Sequence, residues 1–194
     1  MSGFRHLDDR VLHRGHVITL CDAEFEAPDG SRFRREIVRH PGAVSVVALT
    51  DDQQVVMVRQ YRAAVDDLVL EIPAGKRDVA DEPPELTARR ELIEEVGLDP
   101  GSLTLLARFH NSIGFTDEES FVFLGTDLVE VEADRQGVEE AYMEVVHVPL
   151  ADTPAMIASG ELTDGKSIIG VTLAAARLAV SHPADAHPAD ALGD

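Results

Sequence analysis

Three carboxylates, Glu91, Glu94 and Glu95, crowd the stretch Arg89-Arg-Glu-Leu-Ile-Glu-Glu-Val-Gly97. On a helix, spacings of three and four residues put all of them on or beside one face. Like charges four apart destabilise an isolated helix by some tenths of a kcal/mol, and acidic groups near its C-terminal end oppose the helix dipole. A divalent cation relieves both penalties. Donors that are oxygen alone suit Mg²⁺ or Mn²⁺ rather than zinc. The cluster taken alone also fits a solvated acidic face, because the chain holds 36 acidic residues.

The elements that must position this cluster are legible on either side of it. A short strand, Val69–Ile72, ends at Pro73-Ala-Gly75, and a polar loop, Lys76–Asp81, leads to Glu82. A helix over Pro84–Val96 follows. Pro83 and Pro84 suit its start, Glu85 complements its positive end and Gly97 suits its C-terminal cap. Upstream, Val17–Phe25 and Phe33–Val38 flank the turn Pro28-Asp-Gly30 and predict a β-hairpin near the N-terminus, about 16–39. Strands are expected at Val44–Leu49, Val55–Gln60, Leu103–Phe109, Phe121–Val131 and Met143–Val148, and helices at Ala151–Ser159 and Ser167–Val180. The expectation is a single domain over 1–180. The tail from 181, with its near-repeat His182-Pro-Ala-Asp-Ala186 and His187-Pro-Ala-Asp-Ala191, has little to bury and reads as disordered.

Composition narrows the function. The chain has 194 residues, 44% hydrophobic and 27% charged, as in an ordinary soluble domain. One cysteine, Cys21, excludes an intramolecular disulfide and a paired-cysteine zinc site, and suits a reducing compartment. The first ten residues are charged, and runs such as Ala43–Leu49 are too short to cross a bilayer, so a soluble cytoplasmic protein without a membrane partner is expected. A formal net charge of −19, with lysine only at Lys76 and Lys166, argues against a nucleic-acid partner. A phosphorylated small molecule would have to be received by local cations, metal above all.

Glu82, seven residues, Arg90-Glu91-Leu92, one residue, Glu94-Glu95, one residue, Gly97-Leu98: this resembles the Nudix box, G-x5-E-x7-R-E-U-x-E-E-x-G-U, with U a bulky aliphatic residue. The one mismatch lies at its start, where six residues rather than five separate Gly75 from Glu82. The resemblance continues outside the box. Val58-Arg-Gln-Tyr-Arg62, Glu71-Ile-Pro-Ala-Gly75 and Asn111-Ser-Ile-Gly-Phe-Thr-Asp-Glu-Glu119 look like the ADP-ribose pyrophosphatase branch of the Nudix hydrolases. Ile113 stands where that branch usually has proline, a departure that touches the substrate rather than the metal.

The resemblance implies an α/β fold, a Nudix-type α/β/α sandwich with a mixed β-sheet, plus the N-terminal β-hairpin. It implies Mg²⁺- or Mn²⁺-dependent hydrolysis of the diphosphate bond of a nucleoside diphosphate sugar, most specifically ADP-ribose to AMP and ribose 5-phosphate. The alternatives are another nucleoside diphosphate derivative as substrate, or a sensor that binds a nucleotide without cleaving it. Glu91, Glu94, Glu95 and the carbonyl of Ala74 would be metal ligands, and Arg90 would hold the carboxylates. Glu82 would anchor the loop, bind a further cation or cap the helix. Glu139 or Glu140 would be the base, the choice being open. Arg59, Arg62 and Glu71 are the candidate substrate-binding residues, with Arg59 and Arg62 equally readable as strand residues facing water. Phe25 or Phe33 is a candidate for stacking on adenine, whereas His110, Met143 and Met156 read as structural. A homodimer in which the N-terminal hairpin reaches a second copy is expected by analogy.

Overall fold

The computed structural model describes residues 3–134 and 140–181, with the backbone alone for Glu140 and Ser181. Its N-terminal part is a three-stranded antiparallel sheet, β1 (Arg5–Arg14), β2 (Thr19–Glu26) and β3 (Arg32–Arg39), in the order β1-β2-β3. The expected hairpin is therefore β2–β3 of a larger sheet. Strand β1 escaped the sequence reading because its segment is mostly charged and exposed, and its pairing with β2 slips twice, at His6/Asp8 and Val11/His13.

The main sheet is built from β4 (Ala43–Leu49), β5 (Gln54–Arg62), β6 (Asp67–Glu71), β7 (Ala74–Lys76), β8 (Leu98–His110), β9 (Glu119–Glu130) and β10 (Glu144–Pro149). Its path runs β10-β5-β4-β9-β8, with β6 added to β5 and β7 to β4. The β4–β9 pair is parallel and the others antiparallel, so the sheet is mixed as expected. Along β4 and β5 the side chains alternate between two cores. Val44, Val46, Ala48 and Val56 pack with Phe123 against Ala88 and Leu92 of α1 (Pro84–Val96). Val47, Leu49, Val55 and Met57 pack on the other face with Val171 and Ala174 of α3 (Gly165–Ser181), beside the short α2 (Thr153–Ser159). Helix, sheet, helix is the expected sandwich.

One irregularity makes room for a site. β4 and β5 pair only at Ala48–Val56 and Leu49–Val55 and then part. β6 takes the far half of β5 (Val58–Arg62), β7 takes the near half of β4 (Ala43–Ser45), and the Ile72-Pro73 link crosses the gap. There the carbonyl of Pro73 accepts a 2.9 Å bond from the amide of Val46. β7 was not anticipated, since three residues after a proline carry no strand signal of their own.

Candidate active site

Helix α1 has the bounds its punctuation predicts. Pro83 precedes it, Pro84 occupies the first turn, and Gly97 ends it in a left-handed conformation (φ 68°), its amide donating to the carbonyl of Ile93. Its core-facing stripe is Ala88, Leu92 and Glu95, spaced i, i+4, i+7. Leu92 is fully buried and anchors the helix; truncating it to alanine would cost about 2–5 kcal/mol. The same periodicity drives a carboxylate into the sheet. Glu95 is only 5% exposed, and its Oε2 accepts a 2.9 Å bond from the amide of Ala74, the first residue of β7.

Glu91 lies one turn earlier, against Gly75. A Cβ on Gly75 would stand 1.9 Å from the Glu91 carboxyl carbon, so no other residue type fits without displacing that side chain. The longer loop between Gly75 and Glu82 thus leaves this approach intact and closes through Asp81 in a left-handed conformation (φ 61°). Burial raises the Glu91 carboxyl above its ordinary pKa; Glu94 and Asp78 push the same way, and Arg90 pulls back only in part. Arg90 is shared among four carboxylates. Its Nη1 lies 2.9 Å from Glu91 and donates to Glu94 at 3.2 Å, and its Nη2 donates to Glu82 at 3.3 Å and Asp78 at 3.4 Å.

These groups face a cleft of about 820 Å³. Glu91, Glu95, Ala74 and Gly75 line one wall, and Arg62, Asp164 and Lys166 line another. Glu71, 2% exposed and not itself part of this lining, receives a bidentate grip from Arg62 (Nε 2.6 Å, Nη2 2.8 Å) and a further contact from Lys166 Nζ. Burial works to raise the Glu71 pKa, but the bonds and charge of Arg62 and Lys166 outweigh it and hold the carboxyl below its ordinary range. Asp164 caps α3 by accepting from the amide and hydroxyl of Ser167, and the Ser167 hydroxyl in turn accepts a 2.8 Å bond from the amide of Ile72. The start of α3 is thereby tied to the link that carries Ala74.

Among the described residues, no group of three His, Cys, Asp or Glu side chains is already drawn together around a point. The donor set nevertheless fits a hard divalent cation: hard oxygens only, one carboxyl destabilised by burial among other carboxylates, and a glycine that admits it to the cleft.

A family model for the NUDIX domain matches residues 39–164. The chain is 42% identical to an ADP-ribose pyrophosphatase of Bacillus subtilis (strain 168), over 80% of this chain and 84% of that protein. It is 39% identical to an ADP-ribose pyrophosphatase of Mycobacterium tuberculosis (strain ATCC 25618 / H37Rv), over 85% and 80% respectively. The chain belongs to the Nudix family. A solved structure titled as that of an ADP compounds hydrolase superposes with a TM-score of 0.79 over 92% of this chain and 95% of that one; at 21% identity it speaks for the fold.

Of the box glutamates, Glu91 and Glu95 line the cleft and Glu94 does not, and several other expectations change. Glu82 does not cap α1: the cap residue is Pro83, without a side-chain cap bond, and Glu82 bonds to Arg90 instead. Arg59 does not line the cleft. It pairs in register with Leu70 and Glu144, while Gln60, Tyr61 and Arg62, nearer the end of β5, reach the cavity. Phe25 and Phe33 stack on each other (5.4 Å, 19°) and border a separate cavity of about 410 Å³ with Phe4 and the loop around Ile113 and Phe115. Ile113 is 83% exposed at the tip of that loop, whose neighbours Phe115 and Asp117 hydrogen-bond to the end of β3 at Val38. His110 lines the cleft, Met143 is buried, and Met156 packs beside the α3-side core. Glu139 and the side chain of Glu140 lie outside the described residues, as does the tail from His182. Sequence reading missed Lys166 and Gln60. The first had a signal, since it is one of only two lysines in an acidic chain. The second had no local signal that set it apart from Arg59 and Tyr61 on either side of it.

Proposed function

We propose that this Nudix hydrolase cleaves the diphosphate bond of a nucleoside diphosphate sugar, with ADP-ribose as substrate and AMP and ribose 5-phosphate as products. The observation that carries the reading is that Glu91 and Glu95 line one cleft, Glu95 buried and Glu91 half-buried with its carboxyl pKa pushed up by burial. The relatives named ADP-ribose pyrophosphatase support the choice of sugar nucleotide.

Nudix hydrolases as a family require a divalent metal; here Mg²⁺ or Mn²⁺ is proposed, held by Glu91, Glu94, Glu95 and the carbonyl of Ala74. When bound, such a cation neutralises charge on phosphoryl oxygens and acidifies water. The remaining work falls to the chain. Arg90 restrains the carboxylates, and Arg62 and Lys166 offer positive charge to the diphosphate across the cleft. Water attacks one phosphorus, the bridging P–O bond breaks, and the water proton passes to a carboxylate, for which Glu139 and Glu140 are the candidates. Glu71 is proposed to hold Arg62 and Lys166 in place rather than to touch substrate.

The chain is further proposed to act as one catalytic domain over 1–180, in the cytoplasm, and as a homodimer joined through the N-terminal sheet. No described helix is long and apolar enough to cross a membrane. The sheet exposes Val11, Leu12, Val17 and Ile18, which suits burial against a second copy.

A substrate panel in Mg²⁺, with products identified by chromatography, tests the reading. ADP-ribose is expected to yield AMP and ribose 5-phosphate. Absence of that turnover, beside rapid turnover of a different nucleotide, overturns the substrate assignment.

A further inference from the structure

Gln60 is a buried polar side chain of the cleft to which neither the metal carboxylates nor the Glu71 cluster assigns a task. It is 4% exposed, it lines the cavity, and its amide has no hydrogen-bond partner among the described residues. It is not sealed away. The fully buried, unpartnered side-chain atoms of the described residues are Ser45 Oγ, Arg77 Nε, Arg90 Nε and Asp99 Oδ1, so the Gln60 amide keeps its contact with the cavity. A buried amide without a partner is destabilising, and a sheet position flanked by Val58 and the aliphatic stem of Arg62 would accept leucine or methionine more readily. Folding alone gives no reason for glutamine here.

Its place on β5 says what it faces. Gln60 lies two residues before Arg62 and therefore on the same face of the strand, paired with Val69 of β6. Arg62 spends Nε and Nη2 on Glu71, which leaves the diphosphate wall with fewer free donors than its charges suggest. β10 begins opposite Arg59, so its ladder with β5 stops one residue short of Gln60. Glu91 and Glu95 line the cleft as well, so an anion seated beside Arg62 meets the Gln60 amide as a neutral donor.

We infer that Gln60 is a substrate-binding residue whose amide N–H donates to a phosphoryl oxygen of the diphosphate, beside Arg62. The inference rests on the hydrolytic reading above and adds a residue to it. Gln60→Met keeps the length of the side chain and removes the donor; kcat/KM for ADP-ribose is expected to fall about 10- to 100-fold. The melting temperature of the unliganded protein is expected to stay level or rise, because a partnerless amide has left the interior. Gln60→Glu puts a carboxylate at the same point and is expected to lose more activity than Gln60→Met, through repulsion of the phosphoryl oxygens. If wild type turns over no nucleotide sugar, the hydrolytic reading has failed. If wild type is active and Gln60→Met matches it, or Gln60→Glu surpasses Gln60→Met, the donor role is wrong. A fall in the melting temperature of Gln60→Met of the size seen for a core truncation also overturns it, because the amide then serves the fold.

Discussion

Two carboxylates near the cleft are treated in opposite ways: Glu71, buried and bonded to the lining residues Arg62 and Lys166, and Glu91, half-buried in the lining itself. Glu71 on β6 is gripped by Arg62 and Lys166, and its pKa is pulled down despite burial. Glu91 on α1 has one arginine, which it shares with Glu94, Glu82 and Asp78, and its pKa is pushed up by burial and by its acidic neighbours. The fold completes the charge balance at one wall and leaves it open at the other. Glu71 is gripped by two cations of its own, whereas Glu91 must share one. Arg62 and Lys166 sit where they can serve a carboxylate and an incoming phosphate together, while Glu91 and Glu94 share the single Arg90.

The largest effect that sharpens this contrast is catalytic. Glu95→Gln keeps the volume and the bond from the Ala74 amide while removing a charged ligand, so kcat should fall about 10²- to 10⁴-fold with the melting temperature nearly unchanged. Steady-state kinetics beside a thermal melt checks both halves. Full activity in this variant would remove Glu95 from the metal set.

The next effect is on stability. Glu71→Gln leaves two cations facing an uncharged partner; since Arg62 and Lys166 both reach water, a loss of about 2–3 kcal/mol is expected by urea denaturation at neutral pH. The pH dependence has a definite sign. A carboxyl whose folded pKa lies below its ordinary value of 4.5 contributes stability that is present above that value and lost as pH falls through the folded pKa. Wild type should therefore lose stability below about pH 4.5, and Glu71→Gln should show a flatter acid limb. An equally steep limb in the variant would place the acid sensitivity elsewhere.

A smaller effect distinguishes the open wall. Saturating Mg²⁺ or Mn²⁺ without nucleotide should raise the melting temperature by roughly 5–10 °C, as expected for a ligand near one hundred times its dissociation constant. In Glu91→Gln that rise should shrink. The metal-free melting temperature of the variant should be no lower than that of wild type, since the native Glu91 charge is disfavoured by its surroundings. A destabilised metal-free Glu91→Gln would mean that Arg90 already satisfies this carboxyl, and the contrast between the two walls would be lost.

The parts of this arrangement that were legible in the sequence are those specified locally. Pro84 and Gly97 set both ends of α1, and two apolar runs joined by a polar turn revealed β4 and β5. The box carboxylates could be placed on one face by helical period alone. What escaped was specified by tertiary contact. β1 is a charged strand with no deeply buried face, and β7 exists because β4 offers a partner where β5 has turned away. The Arg62–Glu71–Lys166 cluster joins residues 95 positions apart, which no local pattern reports. Arg59 and Arg62 looked equivalent in sequence; the assembled cleft, which Arg62 lines and Arg59 does not, separates them.

The central claim is that the wall formed by Glu91, Glu95 and the Ala74 carbonyl seats a divalent cation against two linked phosphates. Crystals grown with Mn²⁺ and a non-hydrolysable ADP-ribose analogue, measured for anomalous scattering, test it directly. The account expects a manganese peak bonded to those oxygens and to the diphosphate. A fully occupied analogue with no anomalous density at that wall would contradict it.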